Sequence, residues 1–160
     1  MAREHKTPTA DEVTDAVVGA SRALVGIAVR SLAATTEDLT MAQYRALVVL
    51  SYQGDQRVAD LADDLGVNSS TVTRLIARLS RKGFVERVAD PTDGRATRIT
   101  VTTAGRDVMA TVRARRRTEI ARVMRRMPQP AGPEVVTWLE AFTLAAGEGA
   151  ELSWSLGWTG

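Results

Sequence analysis

Apolar positions recur along this chain with two different periods, and the change of period marks its central part. Val58, Leu61, Ala62 and Leu65 stand at i, i+3, i+4 and i+7, the spacing of a short amphipathic helix. Gly66 follows at once, where a left-handed stop needs a residue without a Cβ. Asn68 and Ser69 offer side-chain oxygens to cap a second helix, which repeats the spacing with Val72, Leu75, Ile76 and Leu79 and ends at Gly83. Beyond Gly83 the pattern alternates. Residues 84–88 and 97–101 are β-type runs, with Ile99 and Val101 on one face and Arg98 and Thr100 on the other. Residues 89–96 between them are dense in turn formers. Two helices, a tight turn and a hairpin predict a winged helix-turn-helix.

The flanks are helical. A long helix is predicted from about Asp11 to Ala33, with Val13, Val17, Ala20, Leu24 and Ile27 on one stripe. Thr40 and Gln43 form a capping box, with Leu39 and Tyr44 as its hydrophobic staple. The helix from Met41 to about Ser51 should bury Tyr44, Leu47, Val48 and Leu50. Thr102 or Thr103 caps another long helix, which carries Ala104, Val108, Val112, Ile120, Val123 and Met127 until Pro128 and Pro130 end it. A last helix starts after Pro133 and contains Val135, Val136, Leu139, Phe142 and Ala146. The expected fold is mainly α with a small β-hairpin wing. Residues 1–38 form an arm and dimerisation helix, 39–102 the winged lobe, and 103–160 the C-terminal dimerisation helices and tail, all one intertwined domain. The first helix and the last two are too thinly apolar to fold around a core of their own, which a second copy would supply. Trp154 and Trp158 in the tail are expected to dock on that partner or to cover a cavity beneath the dimer helices.

The second short helix carries the candidate chemistry. At about 100° per residue, Ser70, Arg74, Ala77 and Arg81 lie opposite its apolar stripe, with Thr73 and Arg78 on the flanks. No acidic residue occurs from Ser69 to Lys82. Hydroxyls at the N-terminal end and arginines further along suit entry into a major groove, where a guanidinium can bond guanine O6 and N7 together. The DNA-facing set is therefore Ser69, Ser70, Thr71, Thr73 and Arg74, with Arg78 and Arg81 nearer phosphates. A hairpin beside such a helix can carry Arg95, assisted by Arg98, into the neighbouring minor groove. Asp90 and Asp93 are candidate wing supports, Asp93 by pairing with a nearby arginine. The bland reading of the same helix is a solvated basic face. The cluster of Arg113, Arg115, Arg116 and Arg117 reads either as a phosphate contact or, preferably, as a solvated face paired with carboxylates of a neighbouring helix.

Composition narrows the classes further. The 160 residues suffice for about one domain, and the formal charge of +2 is too small to argue for nucleic acid. Without cysteine there is no disulfide, thiolate chemistry or zinc-thiolate site. The single histidine, His5, lies in a polar arm, and no glycine-rich phosphate loop occurs at motif spacing. No metal, cofactor or catalytic activity is expected. No apolar run is read as approaching a membrane span and no signal-peptide core is present, so a cytoplasmic protein without membrane contact is expected.

In order and at family spacing, residues 39–47, 60–62, 65–67, 70–76, 78–79, 82–87, 90–95 and 101–105 are similar to the MarR family of bacterial transcriptional regulators. The chain departs from the pattern at Gly94, where the family usually carries a second wing arginine. The resemblance implies a homodimer whose reading helices and wings bind a pseudo-palindromic operator on double-stranded DNA. It implies a repressor more often than an activator. It also implies release by a small aromatic or anionic effector, held between the dimer helices and the DNA-binding lobe, with Tyr44 and Arg45 as candidate polar contacts. Two alternatives from other classes are a low-specificity nucleoid-type DNA binder and a winged helix used for protein contact.

Overall fold

The computed structural model describes residues 7–35, 38–93, 96–128 and 132–147. His5, Arg95 and the Trp154/Trp158 tail lie outside the described residues, as does Gly94. The elements run α1 (Ala10–Ala33), α2 (Met41–Gln53), α3 (Val58–Leu65), α4 (Ser69–Arg81), β1 (Val85–Ala89), β2 (Thr97–Val101), α5 (Thr103–Met124) and α6 (Pro133–Ala145).

Helix starts follow their caps. The Thr40 hydroxyl accepts from Gln43 N at 3.2 Å while Thr40 N donates to Gln43 Oε1 at 3.0 Å. Leu39 and Tyr44 close over this box, both buried. A second box, between Thr9 and Glu12, starts α1 at Ala10, one residue earlier than the apolar stripe implied. The Thr-x-x-Glu spacing was its signal. Gly66, at φ 64°, ends α3 in the left-handed region as expected.

α2 is the hub. It touches α3, α4, α5 and β2 and buries Gln43, Tyr44, Ala46, Leu47, Val49 and Leu50. Val48, expected inside, is only partly buried and Val49 is enclosed in its place. A helix covered on several sides has no single stripe, so periodicity misplaces its inner residues. Around α2 the core collects Leu61, Val72, Ile76, Leu79, Ile99, Met109 and Val112, all essentially inaccessible to solvent. Met109 fell outside the stripe read along α5.

β1 and β2 pair antiparallel, with Val85 opposite Val101, Arg87 opposite Ile99 and Ala89 opposite Thr97. Phe84, expected to open β1, is buried just before it, where its N–H donates to the Leu79 carbonyl. Gln56 adds a short third rung, exchanging two backbone hydrogen bonds with Ile99 at 2.7 and 3.3 Å. Thr102 is the α5 cap. Its hydroxyl accepts from Gly105 N at 3.1 Å and donates to the Gly83 carbonyl.

The long helices bury little within one chain. α1 buries only Ile27, Ser31 and Leu32, near its C-terminal end, and α6 buries nothing among its described residues. Val18, Leu24, Val25 and Val29 on α1 are exposed, as are Val123 and Met124 on α5 and Val136, Leu139 and Phe142 on α6. One expectation is corrected here. α1 is long and apolar enough, by length and composition, to cross a membrane. Its alanines, glycines and valines are interrupted by few charges over most of its length, which a search for an unbroken apolar run passes over.

Gly105 marks the tightest junction. A Cβ there would collide with the Phe84 carbonyl oxygen and approach Val101 Cγ1 to 2.8 Å. The Phe84 carbonyl already accepts from Thr102 N at 3.1 Å, so it cannot retreat without breaking the α5 start. Gly105→Ala should therefore cost about 1–3 kcal/mol, read as a lower urea midpoint at unchanged slope. An unchanged midpoint would mean that this junction tolerates movement.

Candidate nucleic-acid interface

α4 is held from inside and open outside. Val72, Ile76 and Leu79 are fully buried, whereas Ser69, Ser70, Thr73, Arg74, Arg78 and Arg81 are all exposed on the opposite surface. Thr71 differs from the expectation: it is partly buried. Asn68 caps the helix, its Oδ1 accepting from Thr71 N and from the Ser70 hydroxyl, both at 2.8 Å. The Thr73 hydroxyl donates to the Ser69 carbonyl at 2.8 Å. With their protons engaged, Ser70 and Thr73 present acceptor lone pairs outward. α4 has no acid in its first turn and two arginines in its last. The helix dipole favours an anion at its N-terminal end, and Arg74, Arg78 and Arg81 extend that preference along the face.

At the wing's base both expected supports, Asp90 and Asp93, meet arginine. Asp90 has a fully buried side chain, and Oδ2 accepts from Arg57 Nε and Nη2, each at 2.8 Å, and from Arg98 Nε at 3.1 Å. Oδ1 accepts from the amide of Thr92 at 2.9 Å and from its hydroxyl at 2.7 Å. Asp93, expected to pair with a nearby arginine, does so more loosely: it is half-exposed, and its carboxylate stands 3.9 Å from Arg57 Nη2. Arg98 was expected to assist in a minor groove. Its Nε binds Asp90 and its Nη1 donates to the Asp55 carbonyl at 3.1 Å, engaging it at the wing's base. Arg57 was missed altogether. It precedes α3 without making a capping bond, and nothing local ties it to a carboxylate 33 residues away.

These contacts set protonation. The Thr92 hydroxyl and amide, then Arg57 and Arg98, hold the Asp90 carboxyl well below the usual carboxylate range, against the opposing effect of burial. Its hydrogen bond and charge raise Arg57 in turn.

A cavity of about 440 Å³ lies where α1, the turn after α4 and α5 meet. Thr35, Lys82, Phe84, Ala104, Asp107, Val108, Thr111 and Arg115 line it. Arg115 Nη1 is buried there without a hydrogen-bond partner. Tyr44 and Arg45, the expected effector contacts, do not line this cavity. Tyr44 is a buried staple residue with the Arg116 guanidinium 5.3 Å above its ring. The expected carboxylate partners of Arg113, Arg115, Arg116 and Arg117 are absent among the described residues; the α5 ion pair is Arg122 with Glu119. No group of three or more potential metal ligands occurs among the described residues.

Comparison with known proteins agrees with this geometry. Residues 39–97 match the MarR family model. The structure of RV1404 from Mycobacterium tuberculosis is 39% identical, covering 91% of this chain and 99% of that one, with a TM-score of 0.79. A MarR family protein from Bacillus stearothermophilus shares the fold at TM-score 0.70 and 23% identity, over 86% and 92% of the two chains. The HTH-type transcriptional repressor IacR of Pseudomonas putida is 28% identical over 68 residues, 42% of this chain and 41% of that protein. The chain thus spans less than half the length of that relative.

The Asp90 brace predicts a pH signature. The folded-state carboxyl is depressed, so its stabilisation is complete above the unfolded value of about 3.9 and is lost as the pH falls below it. The Tm difference between wild type and Asp90→Asn should be widest near pH 7 and shrink below about pH 4. A gap that stays constant over that range would contradict the brace.

Proposed function

The chain belongs to the MarR family, and from that premise we propose that it is a sequence-specific DNA-binding transcriptional regulator that acts as a repressor. In this reading a homodimer binds a pseudo-palindromic operator in the cytoplasm. The observation that carries it is the exposed face of α4, with acceptor hydroxyls at the N-terminal end, arginines beyond and no carboxylate. A protein-contact module would present apolar anchors there. Ser70, Thr73 and Arg74 meet base edges, Ser69 and Thr71 border them, and Arg78 and Arg81 approach phosphates. Arg95, which follows Asp93 closely in the sequence, enters the minor groove in this reading.

The pairing surface is supported by what one chain leaves uncovered. The apolar faces of α1, α6 and the end of α5 stay exposed among the described residues, and a two-fold partner covers them symmetrically. This also accounts for an α1 apolar enough to cross a membrane. Residues 39–102 then read DNA, while 1–38 and 103–160 hold two reading heads about one helical turn apart. The cavity beside Lys82 and Phe84 is the place for an effector. Arg115 offers it a buried cationic donor, and Phe84 and Val108 offer an apolar floor, which together suit a small carboxylate.

Arg74→Ala should cost about 1–3 kcal/mol of binding and relax base preference at one position per half-site. Fluorescence anisotropy with a selected operator, at near-physiological salt, reads both. Unchanged affinity and preference would remove α4 as the reading helix. Affinity lost almost entirely with salt, with little preference between sequences, would favour the nucleoid-type binder instead. Small carboxylates that leave DNA occupancy unchanged would remove the effector part.

A further inference from the structure

The hairpin leaves the core at Asp90. Beyond it Pro91, Thr92 and Asp93 are exposed, and a two-stranded hairpin is only marginally stable on its own. The direction of the turn is therefore decided by what grips its base. Within the hairpin, Asp90 N donates to the Ala96 carbonyl at 3.0 Å and Ala96 N to the Asp93 carbonyl at 2.9 Å, which closes the turn on itself. Neither bond fixes it relative to the helices.

That link comes from residues 55–57, ahead of α3. The Asp55 carbonyl accepts from Arg98 on β2, Gln56 pairs with Ile99, and Arg57 reaches the Asp90 carboxylate at the end of β1. Arg57 places two donors of its planar fork on Asp90 Oδ2, whose other oxygen is held by Thr92, so the carboxylate is gripped from both sides. Its backbone sits at the start of α3, which packs against α4. A rigid path thus joins the reading helix to the wing turn through one buried carboxylate.

We infer that Arg57 is a positioning residue of the wing: through Asp90 it locks the hairpin to the helix-turn-helix and sets the reach from α4 to the wing turn. The inference rests on the DNA-binding reading above. Arg57 then governs the wing's contact with DNA without making it.

The test is a double-mutant cycle with the wing-turn arginine, read as operator affinity of the full-length protein. Arg95→Ala and Arg57→Ala should each weaken binding by about tenfold. The double variant should bind within about twofold of Arg95→Ala alone, because a mispositioned wing has nothing left to lose. Thermal unfolding and gel filtration check that Arg57→Ala folds and assembles as wild type does. Should it not fold, Arg57→Lys, which keeps the cation but loses the planar fork, replaces it in the cycle. Losses that multiply would mean that Arg57 acts on DNA or on the fold independently of the wing, overturning the inference. An Arg57 variant with unchanged affinity would overturn it too. Failure of the DNA-binding reading is distinguishable, because the wild-type protein alone would then bind no operator.

Discussion

Everything outward on this molecule depends on the burial of one inner stripe, Val72, Ile76 and Leu79 of α4 against the hub helix α2 and its neighbours. Fully burying side chains of this kind is worth about 1.5–3 kcal/mol each, enough to fix the rotation of a 13-residue helix. Rotation is what function requires. Once the stripe is inside, Ser70, Thr73, Arg74, Arg78 and Arg81 have no choice but to face out together. The same core receives Ile99 and Val101 from the hairpin, so wing and helix share one foundation.

Around that foundation buried polar groups are few. Asp90 is buried, yet both its oxygens are occupied, which is the condition under which a buried carboxylate supports a structure. Its partners come from before α3, from the turn and from β2, so one side chain ties together segments that backbone pairing alone leaves separable. The long helices follow the opposite economy. α1 and α6 expose apolar surface that the other described residues leave uncovered, and a second copy covers it in the proposed assembly.

Local signals made much of this legible in the sequence. The Thr40–Gln43 box, the left-handed Gly66 and the Asn68 cap each act within four residues, and each lies where its chemistry placed it. The Thr9–Glu12 box was equally local and could have been read. The change of period after Gly83 located the hairpin because strand and helix bury different residues of the same chain. What escaped was set by tertiary contact. Val49 rather than Val48 is enclosed because α2 is covered on several sides. Arg57 finds Asp90 across 33 residues, a distance no spacing rule spans. Arg98 faces the outer side of its strand as alternation required, but its pairing with the Asp90 carboxylate was invisible to local spacing. The unpartnered Arg115 Nη1 depends on a cavity built from three separate elements.

The central claim, a dimeric reader of specific DNA sequence, is tested most directly by selecting bound duplexes from a randomised pool with the wild-type protein at near-physiological salt. The account predicts a recovered pseudo-palindrome with half-sites about one helical turn apart, bound by two chains per duplex. Clear binding that enriches no motif, or a motif without two-fold symmetry, would contradict it.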